Sequence, residues 1–404
     1  GVFNAGIINL TNSTITNNNA LDDGGGLFNA TTGTLTVIKS TISNNDSTEG
    51  FGGGIYNAGS LSITNSDLSG NWAFRDGGGF YNTGSASILK TTLSDNSSNL
   101  DGGGIYNRND GHLIIDTSPF VENYSFSTDG GGIYNNGNAS IINSAFSGNY
   151  ADANGGGIYN DINGSINFTS CTINANDASI HGGGISNYGS LDITNSTFSG
   201  NSTSTDGGGI YNDGSLGLES CTFSANTAAG VGGGIYIDDS GSMDISNTIL
   251  AYSTNYDCVS TGIIGVDRHN IIEQNGPIKE GLNCGENSLT SDPLLEKVLA
   301  DNGGPTKTHA LQKGSPAIDA GYLKAYPAID QRSMPRPQGS GPDIGAFEFR
   351  LNNVAPEFTS RGKTSAVVGE LYTYNITAGD ADGDRLWITA PIVPDWLSLT
   401  DHGD

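Results

Sequence analysis

The chain has 404 residues, 61 of them glycine, and only 14% are charged. Acidic side chains outnumber basic ones 42 to 16, for a formal charge of −26, so a nucleic-acid phosphate backbone is repelled and nucleic-acid binding is excluded. No apolar run reaches the roughly 18 residues of a membrane-spanning helix, and Leu, Ile and Val recur in short alternations, never in amphipathic helical runs. The composition reads as all-β.

At the amino end, Gly1-Val2-Phe3-Asn4 has the form of the tail of a longer unit whose glycines are missing, so the sequence is expected to begin inside a larger protein. Gly triplets then begin at positions 24, 52, 77, 102, 130, 155, 182, 207 and 232, with steps of 28, 25, 25, 28, 25, 27, 25 and 25 residues. With the truncated first unit these make about ten repeats, the mark of a solenoid whose coils bury their apolar faces only by stacking.

Three short alternating segments recur in each repeat. The first puts Ile55, Phe80, Ile105, Ile133, Ile158, Ile185, Ile210 and Ile235 in one column; the second contributes pairs such as Leu61 with Ile63 and Leu113 with Ile115; the third contributes Leu68, Leu93, Phe120, Phe146, Ile173, Phe198 and Phe223. Period-two spacing turns each set toward one face, so three strands per turn are predicted to stack at about 4.8 Å per coil. Extra residues fall only in the turns after Asn29, Asn107 and Asn160 or just before the glycines. A slip inside a strand would turn every side chain over, so this confinement supports the strands.

Asparagines form two further columns, at 57, 82, 107, 135, 160, 187 and 212 and at 71, 96, 123, 149, 176, 201 and 226. Stacked amides can hydrogen-bond up a column, and Asn tolerates the left-handed backbone of a bend, so these read as structural turn positions. Asp stands immediately before the glycines at 23, 76, 101, 129 and 206, and Asp76, Asp101 and Asp129 are expected to stack on consecutive coils. Carboxylates about 5 Å apart repel unless they are solvated, neutralised by calcium or partly protonated. These alternatives stay open, with Asp76, Asp101 and Asp129 as candidate calcium ligands.

The residue after each first-column apolar side chain is aromatic: Phe3, Phe28, Tyr56, Tyr81, Tyr106, Tyr134, Tyr159, Tyr211 and Tyr236, interrupted by Ser186. If the Ile column points inward, these rings point outward. Tyr106, Tyr134 and Tyr159 are therefore candidate binding residues for glycans, another module or a neighbouring copy, with self-stacking as the structural alternative.

The glycine-led coils, residues 1–256, resemble right-handed parallel β-helix proteins with repeats like those of bacterial polymorphic outer-membrane proteins. Residues 257–350 hold Asp301-Asn302-Gly303-Gly304-Pro305-Thr306, Gly314-Ser315-Pro316-Ala317-Ile318-Asp319-Ala320-Gly321, Asp330-Gln331-Arg332, Arg336-Pro337 and Asp343-Ile344-Gly345-Ala346-Phe347-Glu348, which together resemble the choice-of-anchor Q domain. That resemblance implies a bacterial exported protein and no known catalytic chemistry. Asp319, Asp330, Arg332, Arg336 and Asp343 are expected to pair over the last coil as a C-terminal cap that covers its open edge. From Asn352 onward, Ala355-Pro356-Glu357-Phe358, Gly369-Glu370-Leu371-Tyr372 and Asp380-Ala381-Asp382-Gly383-Asp384 resemble the first half of a cadherin-like or immunoglobulin-like surface module, so residues 351–404 are expected to form a partial β-sandwich. Asp380, Asp382 and Asp384, alternating oxygen ligands around a glycine turn, are candidate calcium ligands.

An exported chain meets oxidising conditions, so Cys258 and Cys284, both in the irregular stretch after the last coil, are predicted to form a disulfide. Cys171 and Cys221 occupy equivalent places two coils apart, roughly 10 Å, too far for a bond. The five histidines show no metal-ligand spacing. The leading function is an extracellular structural or adhesin-like protein of a bacterial surface, not an enzyme, that meets copies of itself, other surface proteins or glycans. A carbohydrate-active enzyme, lyase or glycosidase, or a glycan-binding module is the alternative. A lyase needs a base, and Arg75 and Arg108 lie near the Asp column; a glycosidase would use its paired carboxylates.

Overall fold

The computed structural model describes residues 1–276, 283–285, 287–350, 356–362, 365, 367, 369 and 373–379. The chain divides into two compact units, Gly1–Phe349 and Arg350–Asp404. In the second, the described residues include one antiparallel pair, Glu357–Phe358 with Ala378–Gly379. Asp380, Asp382 and Asp384 lie outside the described residues.

The first unit is a parallel β-solenoid. One coil runs through Ile55–Asn57, Ser60–Thr64, Asp67–Ser69 and Trp72–Ala73, and successive coils pair strand on strand into three 11-stranded parallel sheets. The predicted columns are in register, with Ile55 beside Phe80 and Phe80 beside Ile105. All of them are buried. The inserted residues close small turns, as where the Gly33, Gly111 and Gly164 amides donate to the Ala30, Arg108 and Asp161 carbonyls, and leave the register untouched. Ten glycine-led coils are followed by an eleventh rung built from non-repeat residues, Cys258–Ser260, Ile263–Arg268 and Ile271–Ile272.

Nine of the ten glycine-led coils hold four strands, not the three expected. A 9-stranded ladder of two-residue strands follows the third sheet. Such a strand has one inward side chain, here Ser47, Ala73, Ser98, Ser125, Ala151, Ala178, Thr203 or Ala228, all buried. One small residue per coil leaves no alternation to read. The glycines explain why it is small, because the triplet passes directly against this ladder. A Cβ on Gly53 would sit 2.2 Å from the Trp72 carbonyl oxygen, and one on Gly183 2.1 Å from that of Ser202. The first glycine of each triplet is needed for another reason, a left-handed backbone such as φ 65° at Gly52.

Both asparagine columns are continuous hydrogen-bonded ladders. Asn4, Asn29, Asn57, Asn82, Asn107, Asn135, Asn160, Asn187 and Asn212 form one, each Nδ2 donating to the next coil's Oδ1 at 2.6–2.8 Å. In the second, from Asn18 to Asn226, each Oδ1 accepts both the side-chain and the backbone N–H of the coil before, as Asn149 does from Asn123 at 2.9 and 3.0 Å. The left-handed backbone expected at these residues sits elsewhere: Asn44, Gly70, Asp95 and Glu122 carry it, one place before Asn45, Asn71, Asn96 and Asn123 of the second ladder. Besides stacking, the second-ladder amides donate to backbone carbonyls, as Asn71 does to Ile42 at 3.0 Å. A third ladder runs through Ser40, Ser66, Thr91, Ser118 and Ser144, each hydroxyl accepting the backbone N–H of its counterpart one coil earlier. Cys171 takes the next place, its sulfur 3.4 Å from the Ser144 nitrogen. Both Cys171 and Cys221 are free, and burial pushes their thiols up, Cys221 to about 12, so neither is reactive.

The segment expected to cover the open edge of the last coil instead lies along the flank of the solenoid. It engages the outer side of the third sheet on four successive coils, mostly through its own backbone groups. Thr172 Oγ1 donates to the Lys307 carbonyl at 2.6 Å, Thr197 Oγ1 to Gln331 Oε1 at 2.6 Å, the Ala346 amide to Thr222 Oγ1 at 2.9 Å and the Gly345 amide to the Asn247 carbonyl at 2.7 Å. Gln331, fully buried, also donates to the Cys171 carbonyl at 3.0 Å. A second apolar cluster, including Ile249, Ile271, Leu295, Leu311, Ile344 and Phe347, seals the contact. The outer threonines supply hydroxyls where a strand edge would supply amides, so the segment docks on side chains of the solenoid. Arg332 pairs with Asp330 at 2.7 Å, and Arg336 pairs with Glu348 at 2.9 Å, both partners of the latter fully buried. At the end itself, Cys258 and Cys284 are joined by a disulfide with Cα atoms 5.8 Å apart.

Asn123→Ala removes two donors to Leu93 and Asn149 and two acceptances from Asn96 inside the coil stack. The expected loss is about 3 kcal/mol, because buried partners are left unmade. Urea denaturation should show it as a lowered midpoint at unchanged slope.

Candidate functional site

The outward face of the first sheet collects the aromatic and acidic columns. From Phe3 to Tyr159, seven rings stack with centroids 4.7–5.4 Å apart, near the coil rise of about 4.8 Å. The stack therefore follows from the register. Ser186 does not interrupt it, since Tyr188, two residues further on, brings its ring 5.3 Å from Tyr159 and 6.0 Å from Tyr211. His181 stacks on Tyr211 at 4.3 Å, and Phe51 packs on Tyr81 at 4.7 Å with the Arg75 guanidinium over it at 5.3 Å. Because neighbours cover the ring faces, Tyr106, Tyr134 and Tyr159 present edges and hydroxyls outward and are half-buried.

Beside this stripe the aspartates form the predicted column, and their carboxylates are in use. Asp76 accepts the Asp101 amide at 3.2 Å, Asp101 the Asp129 amide at 3.1 Å, and Asp129 both the backbone and side-chain N–H groups of Asn154 at 2.9 Å. Asp23 and Asp206 do the same for Phe51 and Val231, at 3.0 and 2.8 Å. Burial raises Asp76 to about 7, with the Asp101 charge adding to it, and burial likewise raises Asp129 to about 6 and Asp101 above its ordinary value. Asp161, in the turn on the other side of the strand, adds negative potential to Asp101, Asp129 and the three tyrosines. Burial first, then these carboxylates, keep the Tyr106, Tyr134 and Tyr159 phenols protonated far above neutral pH.

Among the described residues no group of three or more His, Cys, Asp or Glu side chains is placed to hold a metal ion. Arg75, considered as a base, stacks on Phe51, and its Nε donates to the Glu49 carbonyl at 3.2 Å. The sequence reading missed Phe51, Asp161, His181 and Tyr188. Phe51 and His181 stand in one of the columns it used, each in the place of an aspartate immediately before a glycine triplet.

Residues 90–108, 143–161, 195–213 and 220–238 match the Chlamydia polymorphic membrane protein (Chlamydia_PMP) repeat. The chain carries polymorphic membrane protein repeats. Each matched segment spans the third-sheet strand, the fourth ladder, the glycine triplet and the first-sheet strand, so the repeat encodes the close approach of glycines to the ladder. Repeats of this kind mark a bacterial outer-membrane or cell-surface protein. No curated protein and no solved structure matches the chain. Among the described residues no helix is long and apolar enough to cross a membrane.

The raised aspartates make a signed prediction. A carboxyl whose folded value exceeds its unfolded value near 3.8 contributes stability below that value and loses it as pH rises through the folded value, about 7 for Asp76 and about 6 for Asp129. The Asp76→Asn, Asp101→Asn, Asp129→Asn variant removes the charges and keeps a side-chain carbonyl oxygen at each place as an acceptor, with a residue type that the column already carries at Asn154. It should melt higher than the parent at about pH 8 and equally at about pH 4, by circular dichroism at both.

Proposed function

We propose that this chain is an extracellular structural, adhesin-like protein that meets its partners, a second copy or another surface protein, through the tyrosine stripe. The observation that carries this reading is the continuous row of phenol edges beside a line of carboxylates, Asp76, Asp101 and Asp129, with Asp161 adding a carboxylate on the other side. A rigid stack spaced by the coil rise offers the same chemical group at each coil, which suits a partner with its own β repeat. Two copies meeting stripe to stripe would face carboxylate against carboxylate. Self-association is therefore expected to need protonation of Asp76 and Asp129 or a bridging cation such as calcium.

Two triple variants separate the hydroxyls from the stack. Replacing Tyr106, Tyr134 and Tyr159 by Phe keeps the stacking and should leave the melting temperature unchanged, whereas replacing them by Ser should cost on the order of 3 kcal/mol in lost ring pairs. Sedimentation velocity on the parent should show a monomer at about pH 8, and association at about pH 5 or with millimolar calcium at pH 8. The Phe variant should lose that association. A parent that stays monomeric in all three conditions, or a Phe variant that associates like the parent, removes self-contact through the stripe.

A further inference from the structure

The fourth ladder carries a feature that the repeat does not require. Its outward place holds Asp46, Ser97, Asp177, Ser202 and Thr227 on most coils, but Trp72, Tyr124 and Tyr150 on three of them. Two residues on, Phe74 and Phe126 are each 46% exposed, where the intervening coil has Asn99. Trp72 packs edge-on to Phe74 at 6.2 Å, and Tyr124 against Phe126 at 4.3 Å. Tyr124 stacks on Tyr150 at 4.7 Å, and that stack has no ring to continue onto at Ser97. The result is two aromatic pairs on either side of one coil whose outward side chains are Ser97 and Asn99.

We infer that this slot binds a sugar ring of a neutral glycan between the Trp72–Phe74 and Tyr124–Phe126 pairs. Trp72 and Tyr124 are two coils apart, about 10 Å. A puckered pyranose making carbon contacts of about 4 Å on each side fills that width. Its axial C–H bonds meet electron-rich ring faces, and its hydroxyls meet the Ser97 hydroxyl and the Asn99 amide at the floor. Charge selects among glycans. Asp46 lies on the coil next to Trp72, Tyr124 Oη donates to Asp152 at 3.3 Å, and the chain carries −26 overall, so sulfated and sialylated chains are repelled. The slot lies on a different face from the tyrosine stripe, and either can bind without the other.

The test is calorimetric titration of the full chain with cellohexaose, chitohexaose and a linear mannan, with heparin as the acidic control, while Trp72 emission is followed. At least one neutral probe should bind and shift the emission, and heparin should not. Trp72→Ser with Tyr124→Ser installs residues the ladder already uses on other coils and should weaken binding at least tenfold without changing the melting temperature. Ser97→Tyr fills the slot and should weaken it as much, although it adds aromatic surface; a patch that merely favours protein contact would be strengthened by that change. Absence of binding to every neutral probe, preference for heparin, or a Ser97→Tyr variant that binds like the parent overturns the inference. The Phe triple variant of the tyrosine stripe should bind the glycan unchanged, so the failure of one reading is visible apart from the other.

Discussion

In this solenoid the neighbour of a side chain, one coil up and one coil down, is its own equivalent. Every buried column must therefore be compatible with itself. Apolar columns meet this condition trivially, as Phe120 on Phe146 and Phe198 on Phe223 do at 4.5 and 4.4 Å. Among polar groups a primary amide meets it best, because it carries a donor and an acceptor that face opposite ways along the axis. All the first-ladder amides point the same way, so a substitution in the middle strands a donor on one side and an acceptor on the other. Where the run ends, at Ile237, the Asn212 amide turns to the Gly214 and Ser242 carbonyls at 3.1 Å. The aspartates solve the same problem differently, since a carboxylate cannot donate to its copy. It accepts a peptide N–H of the next coil instead, and its burial raises its proton affinity.

Self-compatibility also decides what could be read from the sequence. The three long columns, their register and the confinement of insertions to turns are properties of repeated positions, and period and alternation display them. The two-residue ladder escaped because one small inward residue per coil has no alternation, although the invariant triplet of glycines signals that another backbone passes close by. The flanking segment escaped for a different reason. Gln331 and Arg336 dock on Cys171, Thr172 and Asn195, and Thr306 on the Ser170 carbonyl, contacts 136–160 residues apart between an irregular segment and a repeat. Neither pattern nor spacing encodes them. The outer threonines at 172, 197 and 222 looked like ordinary solvent-facing strand residues.

The candidate site shows the same division. The outward aromatic row was legible from alternation, and the ring stacking follows from the coil rise. The use of Tyr188 to bridge the gap at Ser186 was not, because a turn residue reaches back into a strand column. The aspartates read as a repelling line because the sequence does not show which peptide groups turn toward them; with Asp101, Asp129 and Asn154 supplying N–H donors, burial and not mutual repulsion is the larger cause of their raised values.

The flanking segment has a consequence for which faces remain available. It covers the outside of the third sheet from the coil of Thr172 to that of Ile249, and Thr172, Thr197 and Thr222 are buried beneath it. The outward surfaces left to solvent on those coils are those of the first and second sheets and the fourth ladder. On the second sheet the outward places are held mainly by Ser, Thr and Asp, as in Ser190–Thr194. Large outward aromatics concentrate on the other two. Along the first sheet they recur on nearly every coil, as a repeat-encoded column does; on the fourth ladder they sit on three coils and leave the one between Trp72 and Tyr124 bare. In a fold where each position is repeated about ten times, uniform columns build the scaffold. Departures from a column are where a particular coil acquires a particular partner.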